Sequence, residues 1–98
     1  MSDIFRDYSF GGWLRHFRLE KGISLREFAK ITKMDVGNFS RLENSETPPP
    51  KKAEKIFQLC HALGKPDAVH VLKSIAFQHH LAMLHKEFFG ENEKVSDE

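Results

Sequence analysis

The stretch from Ser24 to Glu43, SLREFAKITKMDVGNFSRLE, constrains this chain more than any other. Apolar residues recur at Leu25, Phe28, Ala29 and Ile31, a helical spacing that turns one stripe towards a core. Ser24 is a favourable N-cap for that run, and Glu27 three residues on completes a capping-box pattern. Lys33-Met34 follows. Asp35 then caps a second helix with Val36, Phe39 and Leu42 on its buried side, leaving Gly37, Asn38, Ser40 and Arg41 outermost.

Two short helices, a turn of three or four residues and a readable polar face on the second describe a helix-turn-helix. From about Phe10 to Gly64 the chain resembles the lambda-repressor-like (Xre-type) helix-turn-helix family. The resemblance rests on Ala29 where the two helices cross, on Phe39 and Leu42, on the closing FSRLE and on the Pro-rich segment after it. Leu14, Arg18 and Gly22 upstream, and Ile56, Leu59 and Leu63-Gly64 downstream, fall at matching spacing. Two positions depart from the family pattern. Lys33 stands where a turn glycine is usual, and Leu25 where the first helix often begins with Gln.

The resemblance implies an all-α, lambda-repressor-like helical bundle that binds double-stranded DNA. It implies a sequence-specific transcriptional regulator working as a homodimer, with repression favoured over activation. A recognition helix fits the major groove, where each base pair shows a distinct edge. Val36, Gly37 and Arg41 match base-reading positions of the family, and Asn38 is placed for a base edge or a phosphate. Ser24 with the amide of Leu25, joined by Arg26, is expected to meet one phosphate strand at a helix N-terminus. Asn44, Ser45, Thr47 and Lys51 or Lys52 match the phosphate-contacting region beyond the recognition helix. Arg18 and Glu43 match an ion pair that fixes the angle between two helices.

A length of 98 residues allows one domain. A net charge of +1 is unhelpful for a DNA binder, but residues 1–52 carry ten Lys/Arg against seven Asp/Glu, and residues 53–98 carry five against seven. The positive half is the half with the motif, as an electrostatic footprint requires. The single cysteine, Cys60, excludes an internal disulfide and reads as a small core residue. No apolar run reaches the roughly twenty residues of a membrane span, and the N-terminus lacks a signal pattern, so a cytoplasmic protein without membrane contact is expected.

In chain order, residues 1–9 read as an arm, with Ile4, Phe5 and Tyr8 available to dock on the core or on a partner. Residues 10–64 form the DNA-binding domain, opening with a helix from Phe10 to Lys21 that Gly22 ends. Pro50 is expected to open a helix from about Lys51 to Leu63 that buries Ala53, Ile56, Phe57, Leu59, Cys60 and Leu63. Asp67 is poised to cap a last helix over residues 65–89, and residues 90–98 read as a disordered acidic tail. That last helix has more apolar surface than one stripe needs. Leu72, Ile75, Ala76, Leu81, Met83 and Leu84 are therefore assigned to dimerisation.

Catalytic and cofactor chemistry has no sequence support. His70, His79, His80 and His85 share the last helix, yet no two fall three or four residues apart, the spacing that aligns ligands on one face. There is no phosphate loop, nucleophile elbow or HExxH motif, so no cofactor or metal is expected. Two other roles suit the same fold: an autorepressing antitoxin that also holds a toxin, and an interaction module that has lost DNA binding.

Overall fold

A computed structural model of the chain describes residues 9–96, with side chains described as far as Gly90. The arm residues Ile4, Phe5 and Tyr8 lie outside the described part. Among the described residues five α-helices follow one another: α1 Phe10–Lys21, α2 Leu25–Thr32, α3 Val36–Glu43, α4 Ala53–Ala62 and α5 Val69–Ser96, with a short 3₁₀ turn at Pro66–Ala68 before α5. The fold is all-α, with a helix-turn-helix at α2–α3 and a long C-terminal helix.

Local chemistry sets the ends of the first three helices. Ser9 Oγ accepts from Gly12 N–H, Ser24 Oγ from Glu27 N–H and an Asp35 carboxylate oxygen from Asn38 N–H, each at 3.0 Å. These side chains satisfy amides that a helix start leaves without partners. The C-termini of α1 to α4 share one closure. Ile23 N–H reaches Arg18 O, Met34 N–H reaches Ala29 O, Glu46 N–H reaches Arg41 O and Lys65 N–H reaches Cys60 O. This closure needs one left-handed residue just past the helix. Gly22 and Gly64 fill that role twice, while Lys33 (φ 60°) and Ser45 (φ 62°) fill it without glycine. The turn between α2 and α3 thus keeps its shape, and Lys33 carries the backbone strain.

The core gathers Phe10, Trp13 and Leu14 of α1, Phe28 and Ala29 of α2, and Phe39 and Leu42 of α3. It continues through Ile56, Leu59, Cys60 and Leu63, then Ala68, Leu72 and Ala76. The Phe28 and Phe39 rings pack with centroids 4.6 Å apart and planes tilted by 51°, and so lock α2 to α3. Gly11 is where α1 crosses the end of α3: a Cβ there would lie 2.0 Å from Leu42 O and 2.6 Å from Glu43 O.

Several sequence expectations are corrected. Ile31 and Val36 are exposed rather than buried, because the short α2 and α3 turn only Phe28-Ala29 and Phe39-Leu42 squarely inwards. The fourth helix starts at Ala53, three residues beyond Pro50, and Lys52 occupies its N-cap without a side-chain bond. Ala53 and Phe57 are exposed. The inward face of α4 is Ile56, Leu59, Cys60 and Leu63, and Phe57, about 100° round from Ile56, lies against the His61 ring instead. Asp67 makes no capping bond, since Pro66 starts the 3₁₀ turn that contains it. The last helix does not end at Phe89 but continues through Gly90 to Ser96, where Glu91, Glu93 and Lys94 are good helix formers.

The dimerisation set is also revised. Leu72 and Ala76 are 0% and 3% exposed and belong to the core of their own chain, with Ile75 packed partly against it. Of the six, Leu81, Met83 and Leu84 remain on the surface.

Candidate nucleic-acid interface

The outer face of α3 is built by subtraction. Phe39, Leu42 and Glu43 turn inwards, so Gly37 and Arg41, four residues apart, share the opposite side. Val36, Asn38 and Arg41 are exposed, and Gly37 is half-buried between neighbouring side chains. A Cβ at Gly37 would stand 3.1 Å from an Asp35 carboxylate oxygen and 3.8 Å from Arg41 Nη1. The arginine therefore lies back along the helix over the glycine. Its Nη2–H donates to Asn38 Oδ1, which holds the guanidinium on the outer face and leaves the Asn38 amide free to donate.

The start of α2 lies to one side in sequence. Ser24 is consumed as the N-cap, Leu25 is half-buried against the core, and Arg26 is exposed. What this end offers an anion is the first-turn amides of α2 and the Arg26 guanidinium, with the positive end of the helix dipole behind them.

The segment after α3 is held from two directions. Ser45 takes the left-handed conformation, and its Oγ is 2.9 Å from Ser9 Oγ, which ties the loop to the N-cap of α1. Pro49 is buried, and its carbonyl accepts from His80 Nε2–H of α5 at 2.8 Å. A carbonyl only accepts, so this bond fixes the proton on Nε2. Asn44, Ser45, Lys51 and Lys52 are exposed along this tethered loop, and Thr47 is half-buried. Sequence reasoning missed Ser9 and His80 as supports. Ser9 was legible as a polar residue before an apolar run, whereas nothing local marks His80.

Behind the face sits a buried ion pair. Arg18 Nε donates to Glu43 Oε2 at 2.7 Å, Nη2 to Oε1 at 3.1 Å, and Nη1 to Ile23 O at 2.9 Å. The arginine thereby joins the end of α1, the link to α2 and the end of α3.

Elsewhere, no group of three His, Cys, Asp or Glu side chains among the described residues is arranged to hold a metal ion. No helix is long and apolar enough to cross a membrane, again among the described residues. Cys60 is wholly buried, and burial first, with the Asp67 charge second, pushes its thiol up to about 11.

Comparison with curated proteins and with solved structures returned no match. A family model described as a helix-turn-helix domain matches residues 9–71, which takes in α1 to α4 and the start of α5. The chain belongs to this helix-turn-helix domain family, a DNA-binding class of domain.

Proposed function

We propose that this chain is a sequence-specific transcriptional regulator of the Xre type, acting in the cytoplasm as a homodimer and repressing by occupying its operator. The observation that carries the reading is the exposed α3 face, where Asn38 holds the Arg41 guanidinium along the helix over the side-chain-free Gly37. A guanidinium offers the two parallel donors that guanine O6 and N7 accept, and each such contact is worth about 1–3 kcal/mol of discrimination. Gly37, having no side chain, leaves room for the Arg41 guanidinium to lie over the helix, and exposed Val36 offers methyl surface to a thymine. The first turn of α2 and the tethered loop from Asn44 to Lys52 supply phosphate contacts on either side, which set register without reading sequence. With so few readers, DNA shape and the spacing of two half-sites carry part of the specificity.

Selection of bound sequences from a random duplex pool tests this, run beside Arg41→Ala. The expected result is a two-fold-symmetric consensus that relaxes at one position per half-site in the variant. A uniform weakening would move Arg41 to the phosphates. The absence of any enrichment at moderate salt would overturn the regulator reading.

A further inference from the structure

α5 passes the loop that follows the recognition helix, and two adjacent histidines mark the crossing. Successive helical residues point about 100° apart, so His79 and His80 meet the loop differently. His80 is engaged by the Pro49 carbonyl. His79 is exposed and, among the described residues, has no hydrogen-bond partner; its ring meets that of His80 edge-on, with centroids 5.2 Å apart.

Between helix and loop lies an open cavity of about 380 Å³, in which His79 and His80 face Ser45, Thr47 and Lys51. Its polar lining is rich in donors. Lys51 makes no ion pair among the described residues and offers three N–H donors. Ser9 Oγ accepts from Gly12 N–H, and when it gives its own hydrogen to Ser45 Oγ, the Ser45 hydrogen is left for the cavity. Thr47 adds a second hydroxyl, and Glu46 is the one carboxylate bordering the space. Donors that converge with so little to accept their hydrogens suit an oxyanion, and a charged donor makes the stronger bond to it.

We infer that this cavity receives a backbone phosphate of duplex DNA, with His79 contacting it from outside the helix-turn-helix motif. This rests on the DNA-binding reading above and extends the interface to α5. The same loop carries exposed Asn44 just before the cavity residues and exposed Lys52 just after them. A strand laid along the loop therefore brings its phosphate to the cavity, where a free anion would have no such tether. A neutral imidazole donates one N–H, and the protonated ring adds a positive charge. Phosphate favours the protonated ring, so DNA affinity rises as pH falls. The charged or titratable groups facing His79 are Glu46 and Lys51 on the loop and His80 on its own helix, while the start of α1 presents only Ser9, Phe10 and Gly11. His80 keeps its bond to Pro49 in both protonation states, because Nε2–H donates in each.

Binding of the full chain to a short mixed-sequence duplex, followed against KCl concentration at about pH 6 and about pH 8, tests the inference. Log affinity falls with log salt by about 0.9 for each phosphate neutralised. The wild-type slope is expected to be steeper at the lower pH by about that amount. His79→Gln, which keeps a donor and loses the charge, should show the shallower slope at both pH values. His79→Lys, with a permanent charge, should show the steeper slope at both. Since His79 is exposed, neither variant should change helix content. A pH difference that survives His79→Gln, or that is missing from a wild type that binds, overturns the inference and leaves DNA binding standing. Replacement of chloride by sulfate at equal ionic strength should preserve the difference; its loss would give the cavity to a free anion and overturn the inference. A chain that binds no duplex at any salt concentration overturns the DNA-binding reading, and this inference with it.

Discussion

Arg18 and Glu43 meet through two parallel hydrogen bonds, 2.7 and 3.1 Å long, with both side chains less than one-tenth exposed. The pair spans the ends of α1 and α3, and a third bond from Arg18 to Ile23 O takes in the approach to α2. It fixes the angle at which the recognition helix leaves the body.

Removal of one partner strands a buried charge. Arg18→Ala is expected to cost about 3–5 kcal/mol of unfolding free energy in urea titrations. Arg18→Met with Glu43→Leu removes both charges and should recover most of that loss. A double variant as unstable as the single one would show that the pair contributes more than mutual neutralisation.

Gly11→Ala should destabilise the fold, against the usual helix preference. Alanine is ordinarily favoured over glycine inside a helix by roughly 0.8–1.0 kcal/mol. Here its Cβ would enter the backbone oxygens of Leu42 and Glu43, which cannot rotate away. The overpacking cost of about 1–3 kcal/mol then prevails, and urea unfolding gives the sign directly.

Lys33→Gly should act in the opposite sense. A non-glycine residue in the left-handed region costs about 1–2 kcal/mol, partly offset by the roughly 0.5–1 kcal/mol entropic cost of glycine. The net expectation is a gain of about 0.5–1 kcal/mol, visible as a higher Tm. An unchanged or lower Tm would mean that the Lys33 side chain contributes contacts that offset the strain.

Cys60 couples stability to alkaline pH. Its thiol is raised from 9.0 to about 11, chiefly by burial, so the unfolded chain loses this proton first as pH rises. The folded state then binds more protons, and stability should fall between about pH 9 and 11. Cys60→Ala should flatten that part of the profile. At neutral pH the native thiol should react with thiol reagents only as fast as the protein opens.

The sequence by itself determined the helices and most of their ends. Ser24 and Asp35 are read as caps because a short side-chain oxygen before an apolar period satisfies the first-turn amides, whatever surrounds it. Gly22 is legible as a stop for an equally local reason. The periodicity of Phe28-Ala29 and of Phe39-Leu42 gave the inward faces of the motif, and with them Gly37, Asn38 and Arg41 on the outer one.

Tertiary structure decided which apolar residues are core and which are surface. Leu72 and Leu81 are the same residue type on one helix, yet the first is wholly buried by the body and the second lies beyond its edge. Periodicity assigns a face but cannot tell how far along a helix the neighbours extend. Ile31, Val36 and Phe57 face solvent for another reason: each lies off the face of its helix that packing turned inwards. The contacts that hold the site together also join residues distant in sequence: Gly11 against Leu42 and Glu43, Ser9 on Ser45, and His80 on Pro49. No local pattern encodes them, because each exists only once packing has brought two separate helices or loops into contact.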